Sequence, residues 1–255
     1  MVSDNIETYA IDIQGLVTGF GSKLIHDHLD LQVEKGEILG IVGGSGSGKS
    51  VLLRTIIGLQ PPYAGEIKIL GQPINDLLRR DGKRPWGVMF QNGALFSSLS
   101  LLENVETPLL EYSHLPASKI KEIARLKLMM VGLHEDDLQK LPSQISGGMR
   151  KRTSLARALA LDPPILFLDE PTSGLDPISA NLFDQLIVSL QKSLSLTVFM
   201  ITHDLDSLKT VCDRIGVLVD KKIRVGILKE LLQDSHPWIR QYFHGDRARM
   251  LHQEQ

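Results

Sequence analysis

The sequence predicts an α/β fold in which helices cover both faces of a mostly parallel sheet. Short apolar, β-branched runs alternate with helical segments along the 255 residues, which is the pattern of such folds. Runs that are apolar on both faces predict buried parallel strands at residues 38–42, 86–90, 165–168, 198–201 and 215–219. Residues 9–13 and 29–33 instead alternate polar and apolar side chains, so we expect a small N-terminal antiparallel layer.

A helical region interrupts the strand pattern between about residues 95 and 160, where apolar residues recur at helical spacing. We therefore expect one domain over residues 1–245 with an inserted helical subdomain at about 95–160. The segment 236–255 places Trp238, Ile239, Tyr242 and Phe243 at helical spacing. It predicts a helix that docks either on this chain's own surface or on a second copy.

Composition excludes several classes of function. The chain has 28 basic and 30 acidic residues, and this net charge of -2 lacks the basic excess of a nucleic-acid-binding protein. We therefore expect no nucleic-acid partner. The single cysteine, Cys212, cannot form an intrachain disulfide and indicates a reducing compartment such as the cytosol. Since no run of 18 apolar residues occurs, we do not expect the chain to cross a membrane alone.

A glycine-rich loop follows the first buried run and precedes a helix. It matches the spacing G-x-x-x-x-G-K-[ST] and comprises Gly43, Gly44, Ser45, Gly46, Ser47, Gly48, Lys49 and Ser50. Glycines let backbone N–H groups approach phosphate, Lys49 neutralises phosphate charge, and the Ser50 hydroxyl can ligate magnesium. Val51, the next residue, completes the predicted nucleotide-binding segment. The alternative is an ordinary flexible turn.

Two adjacent carboxylates, Asp169 and Glu170, end the buried run 165–168. Ligands of open α/β sheets bind at the carboxyl ends of strands. Asp169 is a candidate magnesium ligand, and Glu170 is placed to take a proton from an attacking water. The alternative is a helix start, where acidic residues are favoured.

A second turn, Ser146-Gly147-Gly148, opens a helix and offers backbone N–H groups to an anion. Gln91 and His203 each follow a buried run, where a γ-phosphate or its water could be reached. Taken singly, a glutamine after a strand such as Gln91 is usually a surface residue, and a lone histidine such as His203 is more often structural.

In this order the motifs resemble those of ABC ATPase cassettes, with Ser173-Gly174-Leu175-Asp176 as a further match. The resemblance implies a P-loop NTPase fold with a RecA-like mixed sheet, and ATP and Mg²⁺ as cofactors. It implies that two copies pair head to tail, with ATP between the P-loop of one and the Ser146 turn of the other. Asp176 would join the halves, and Phe20 would stack on adenine unless it is a core residue.

The same resemblance assigns roles to the candidate residues. Lys49, Glu170 and His203 would be catalytic, and Ser50, Gln91 and Asp169 would bind the metal.

Five segments are similar to the ATPases of MCE-associated lipid transporters of the Mla type. They are residues 90–96, the signature turn that continues into Met149, and residues 176–178, 220–223 and 239–243. That resemblance implies phospholipid cargo, an integral-membrane permease, MCE-domain and STAS-domain partners, and a position at the cytoplasmic face of the inner membrane. Met149 stands where most cassettes carry Gln. The alternatives are a soluble ABC-type ATPase such as an Fe–S assembly factor, or an importer or exporter ATPase with non-lipid cargo.

Overall fold

The computed structural model describes residues 9–79 and 82–245. Of the predicted C-terminal segment 236–255, residues 246–255 therefore lie outside the described residues. The strands are β1 (Tyr9–Phe20), β2 (Lys23–Glu34), β3 (Ile38–Gly43), β4 (Ala64–Ile69), β5 (Gln72–Pro73), β6 (Trp86–Met89), β7 (Ile165–Asp169), β8 (Thr197–Ile201), β9 (Arg214–Val219) and β10 (Lys222–Gly226). The helices are α1 (Lys49–Ile56), α2 (Ile74–Arg79), α3 (Leu101–Tyr112), α4 (Ala117–Met130), α5 (Gly147–Ala158), α6 (Pro177–Leu194), α7 (Leu205–Thr210), α8 (Leu228–Leu231) and α9 (Pro237–His244).

The chain forms two compact units. The first comprises Met1–Arg79 with Ile201–Gln255, and the second comprises Arg80–Met200. None of the helices in the described ranges is long and apolar enough to cross a bilayer.

The first unit contains the predicted antiparallel layer, in the strand order β2-β1-β4-β5. Its first two strands are longer than the sequence runs suggested, because pairing continues through irregular registers near Leu16 and Thr18. In the same unit β3 pairs with β9 in parallel, as predicted. Strand β10, which the sequence reasoning missed, pairs antiparallel with β9 through a turn at Asp220 and Lys221. Both turn residues have positive φ, which is typical of a two-residue hairpin.

An apolar cluster fills the space around β9 and the last helices of the first unit. Its buried members are Val42, Leu208, Ile215, Val217, Val219, Leu231, Ile239 and Phe243. Helix α9 therefore packs on its own chain, which is one of the two alternatives that the sequence left open.

The second unit places β7 between β8 and β6, and β6 runs parallel to β7. Residues 95–160 are all described and form helices α3, α4 and α5 with two short 3₁₀ turns and no strand, as predicted. A capping box fixes the start of α3: Glu103 N–H donates to Ser100 Oγ, and Ser100 N–H donates to the Glu103 carboxylate. The loop before α3 is held by buried Asn104, whose amide donates to the carbonyls of Phe96 and Leu99.

Candidate active site

The glycine-rich loop lies in the first unit, between the buried strand β3 and helix α1. Gly48 is the N-cap of α1 in a left-handed conformation with φ of 102°, and it has no side chain that could accept a hydrogen bond from the first turn. A Cβ on Gly48 would stand 2.5 Å from Ile25 Cγ2 and 2.6 Å from His26 Nε2. Conformation and space therefore both require glycine here. Glycine at this position leaves the start of α1 without a capping side chain of its own.

Polar groups of the loop fit a polyphosphate. Ser47 Oγ is buried and has no partner among the described residues, so it can donate to a phosphate oxygen. The Lys49 ammonium donates to the carbonyls of Gly43 and Gly44, at 2.7 and 3.3 Å, and so lies folded over the loop. Ser45, Gly46 and Ser50 are exposed. These features match the predicted phosphate cradle, and the roles of its residues remain predictions.

Phe20 and His203 also belong to the first unit. Phe20 ends β1 and its exposed fraction is 58%, which excludes the alternative that it is a core residue. His203 is exposed just after β8, and its carbonyl accepts a hydrogen bond from the Tyr242 hydroxyl at 3.1 Å. This hydrogen bond attaches the His203 backbone to the C-terminal helix.

The ring of His26 packs directly behind Gly48. The sequence reasoning did not single out this residue. Its ring is fully buried, and its Nδ1 lies 2.7 Å from Thr18 Oγ1. Burial lowers the pKa of His26 to about 4. His26 is therefore neutral at physiological pH and supports the loop by packing.

The two carboxylates lie in the second unit. Asp169 ends β7 and Glu170 follows it with φ of 51°, and both are half-buried. A left-handed backbone is uncommon for a residue with a side chain and is found preferentially at functional sites. The Glu170 carbonyl accepts a hydrogen bond from Ser173 Oγ at 2.9 Å, which holds this turn in place.

Lys151 is a buried cation behind these carboxylates, and the sequence reasoning did not single it out. Its ammonium donates to the carbonyls of Gln91 and Glu170 and to Ser173 Oγ. Burial lowers the pKa of Lys151, while the negative charges of Glu170 and Asp169 oppose that shift. Lys151 thus joins the backbone of the Gln91 loop to that of the Glu170 turn.

The Ser146 turn begins helix α5 as predicted. Ser146 is the N-cap, and its Oγ accepts a hydrogen bond from the Met149 N–H at 3.2 Å. Gly147 and Gly148 form the first turn and are partly exposed. Asp176 is exposed and caps α6, where its hydrogen bond from Ser179 holds the pKa of Asp176 below its usual range.

Helix α5 also holds the loop that contains Gln91, which is exposed after β6. Ser154 Oγ and Arg157 both donate to the Gly93 carbonyl at 2.8 Å, and Arg157 also donates to the Ala94 carbonyl. Together with Lys151, these bonds attach the loop to the helix that starts at Ser146. A displacement of the loop would therefore be transmitted to α5.

A groove of about 600 Å³ opens beside this loop in the second unit. Its lining includes Arg84, Trp86, Phe96, Glu111, Tyr112 and Arg157. Phe96 and Tyr112 are exposed by 51% and 49%, and the Arg157 guanidinium lies 6.0 Å from the centroid of the Phe96 ring. Exposed aromatic groups between charged ones are typical of a protein-binding surface.

The described residues contain no group of three or more His, Cys, Asp or Glu side chains that could hold a metal ion by itself. Mg²⁺ is usually bound by one or two protein groups together with substrate phosphates. The Ser50 hydroxyl, the Asp169 carboxylate and the Gln91 amide each offer an oxygen ligand, the kind that Mg²⁺ prefers. Their chemistry therefore fits the predicted ion.

A profile of the ABC transporter family matches residues 26–173 of the chain. The chain belongs to the ABC transporter family. As an ABC cassette it is an ATPase, and it is the ATP-hydrolysing subunit of a transporter. The match confirms the family resemblance inferred from the motifs.

Similar proteins and structures agree with this assignment. The chain is 40% identical to the probable ribonucleotide transport ATP-binding protein mkl of Mycobacterium leprae, over 93% of this chain and 70% of that protein. It is 39% identical to the intermembrane phospholipid transport system ATP-binding protein MlaF of Haemophilus influenzae, over 92% of this chain and 90% of that protein.

Solved structures of ABC cassettes share the fold. The dimeric post-hydrolysis structure of the cassette MJ0796, bound to ADP and Pi, has a TM-score of 0.76 and 33% identity, covering 86% of this chain and 98% of that chain. CbiO1 from Clostridium perfringens has a TM-score of 0.80 and 27% identity, covering 97% of this chain and all of its own. These likenesses confirm the predicted fold class.

Proposed function

We propose that this cassette drives phospholipid transport between the membranes of a cell envelope. The observation that carries the proposal is the end-to-end similarity to MlaF of Haemophilus influenzae, which covers 92% of this chain and 90% of that protein. On this proposal the protein binds an integral-membrane permease at the cytoplasmic face of the inner membrane. MCE-domain and STAS-domain proteins would complete the transporter.

Ribonucleotide transport is the second candidate, because the mkl proteins are 40% identical to this chain. The chain spans 70% of the M. leprae protein, so part of that relative has no counterpart here. Cargo in such systems contacts other subunits, so the two candidates share one ATPase chemistry and differ only in what is moved.

Hydrolysis would take place between two copies arranged head to tail. Lys49 and the Ser47 hydroxyl of one copy bind the triphosphate, Phe20 stacks on adenine, and the Ser146 turn of the second copy binds the γ-phosphate. Mg²⁺, when bound through Ser50, Gln91 and Asp169, would neutralise phosphate charge. Glu170 takes the proton of the attacking water and His203 contacts the γ-phosphate.

Coupling to the permease would use the groove beside the Gln91 loop. A cytoplasmic segment of the permease seated against Phe96 and Tyr112 would contact the loop that Arg157, Ser154 and Lys151 attach to α5. Movement of that segment would then shift the Ser146 turn at the start of the same helix. The observation that supports this proposal is the series of hydrogen bonds by which Lys151, Ser154 and Arg157 connect the loop beside the groove to helix α5.

Reconstitution of the purified transporter in vesicles tests the function. We expect ATP-dependent transfer of fluorescent phospholipid between vesicle and acceptor, and no ATP-dependent movement of labelled ribonucleotide. The Glu170→Gln complex should bind ATP but hydrolyse and transport at least about 100-fold more slowly, since one general base contributes that much. Ribonucleotide movement without lipid transfer would instead favour the second candidate.

Co-purification from detergent tests the groove. Phe96→Asp places a charge among the exposed aromatic groups and should remove the permease from the purified complex while ATP binding by the chain is retained. Leu126→Asp is the matched control, since Leu126 is 58% exposed on α4 of the same unit and does not line the groove. Equal recovery of permease with both variants would contradict the assignment of the groove.

A further inference from the structure

Helix α9 is fixed to the core of the first unit by its apolar face. Ile239 and Phe243 are 0% and 2% exposed, and they share a cluster with Val42, the last apolar residue before the glycine-rich loop. The start of the helix is held by His236, whose Nε2 lies 3.2 Å from the Asp220 carboxylate. The helix is therefore a rigid support beside the loop.

Two aromatic residues on this helix reach two different loops of the candidate active site. A Cβ built on Gly44 would lie 3.3 Å from Trp238 Nε1, so the indole edge rests against the glycine-rich loop. The Tyr242 hydroxyl donates to the His203 carbonyl at 3.1 Å. The two rings stack on each other with centroids 4.8 Å apart and an interplanar angle of 12°.

We propose that Trp238 and Tyr242 are positioning residues for ATP hydrolysis, which together hold the glycine-rich loop and the His203 loop in one arrangement. This rests on the roles proposed above for Lys49 and His203. Trp238 acts through Gly44 on the phosphate-binding backbone. Tyr242 acts through the His203 backbone on the imidazole.

The geometry assigns separable effects to the two side chains. Loss of the Tyr242 hydroxyl removes its hydrogen bond to the His203 carbonyl but leaves the ring stack, so it should slow the chemical step more than it weakens ATP binding. Loss of the Trp238 indole leaves a space beside Gly44, so it should weaken ATP binding. Because the rings are stacked, the effects of the two substitutions should not be additive.

Trp238 fluorescence gives a direct readout of the first contact. The chain has two tryptophans, Trp86 and Trp238, so Trp86→Phe leaves Trp238 as the single reporter. Binding of Mg·ATP to the full-length variant should change the emission of Trp238 with the same midpoint as binding of a radiolabelled nucleotide. Trp86→Tyr serves the same purpose if Trp86→Phe does not fold.

Saturable nucleotide binding with unchanged Trp238 emission would overturn the proposal while leaving the ATPase function intact. Absence of nucleotide binding in the unsubstituted protein would overturn both the ATPase function and this proposal. These outcomes separate a failure of the positioning role from a failure of the ATPase assignment.

Steady-state kinetics of the transporter complex test the second contact. Tyr242→Phe should lower kcat about three- to tenfold, the usual effect of one hydrogen bond, with the KM for ATP changed less than about twofold. Tyr9→Phe, which removes a hydroxyl elsewhere in the same unit, should leave both values unchanged. Equal kinetics for Tyr242→Phe and Tyr9→Phe, or a rise in KM alone for Tyr242→Phe, would contradict the role of Tyr242.

Discussion

Two helix starts in the molecule are built in opposite ways. Helix α5 begins at Ser146, whose hydroxyl accepts the Met149 N–H, so the chain caps this helix itself. Helix α1 begins at Gly48 in a left-handed conformation, and this N-cap has no side chain to cap the helix. Because the first N–H groups of a helix need an acceptor, α1 is suited to a strongly held anion.

This difference assigns different tasks to the two predicted anion sites. The α1 start carries Lys49 and the buried Ser47 hydroxyl, and we propose that it binds phosphate within a single copy. The α5 start is stable without a ligand, so it can add its contacts only when a phosphate is brought to it. The contrast predicts tight binding at the glycine-rich loop and a conditional contact at the Ser146 turn.

The largest effect is expected for Gly48→Ala, which tests the close packing behind the start of α1. Gly48→Ala combines a left-handed backbone with contacts of 2.5 and 2.6 Å to Ile25 and His26. We expect a loss of about 3 kcal/mol in unfolding free energy, together with loss of ATP binding. Urea denaturation and nucleotide titration measure both quantities.

Gly46→Ala is the matched control for this prediction. Gly46 also has positive φ, 78°, but a Cβ there would meet no atom within 4 Å. We expect a loss of only about 1 kcal/mol. Similar losses of unfolding free energy in the two variants would show that the packing behind Gly48 does not add to the cost of Gly48→Ala.

The buried His26 ring behind Gly48 predicts that the stability of the fold depends on pH. Burial holds the pKa of His26 at about 4 in the folded chain, below the ordinary value of 6.5. The unfolded chain therefore binds more protons below about pH 6.5, and stability falls as the pH decreases towards about 4. We expect a His26 contribution of about 2 kcal/mol to the loss between about pH 7.5 and about pH 5.

Urea denaturation at both pH values measures this contribution by difference. The double variant Thr18→Val/His26→Leu removes the ring and its hydrogen-bond partner together. It should show a pH dependence smaller by that amount. An unchanged pH dependence would mean that His26 is not buried as a neutral ring.

The sequence predicted the strand-loop-helix unit at Gly48 because one local pattern, an apolar run followed by spaced glycines, specifies it. It could not predict that His26 packs behind Gly48, because the two residues are more than twenty positions apart in the chain. A local pattern of apolar residues carries no information about contacts over such a separation. Lys151 was missed because lysine normally indicates a solvated face. Its spacing from Leu155, one helical turn later on the buried side of α5, was the available signal.

Lys151→Met tests the hydrogen bonds that attach α5 to the Gln91 loop and the Glu170 turn. The substitution removes the donor shared by the Gln91 and Glu170 carbonyls while keeping a side chain of similar length. We expect kcat for ATP hydrolysis to fall about tenfold, with nucleotide affinity of the isolated chain retained. Lys151→Arg keeps a donor and should recover part of the rate; a rate as low as that of Lys151→Met would contradict a hydrogen-bonding role.

The smallest effect concerns the cap of α5. Ser146→Ala removes the hydroxyl that accepts the Met149 N–H and should lower the unfolding free energy by about 1 kcal/mol. Thermal denaturation of the isolated chain measures this loss. Nucleotide affinity of the isolated chain should not change, because phosphate binding there depends on the α1 start. A large loss of affinity would show that one chain uses both helix starts on the same nucleotide.

The central claim is that the glycine-rich loop of one copy and the Ser146 turn of a second copy form one hydrolytic site. Lys49→Ala should inactivate both sites of a dimer, and so should Gly147→Arg. A heterodimer of the two variants contains one site in which both elements are intact. We predict that mixing the two inactive chains with the permease restores ATP hydrolysis to at least about tenfold above either variant alone. Failure of the mixture to hydrolyse ATP, with heterodimers shown to form, would contradict the claim.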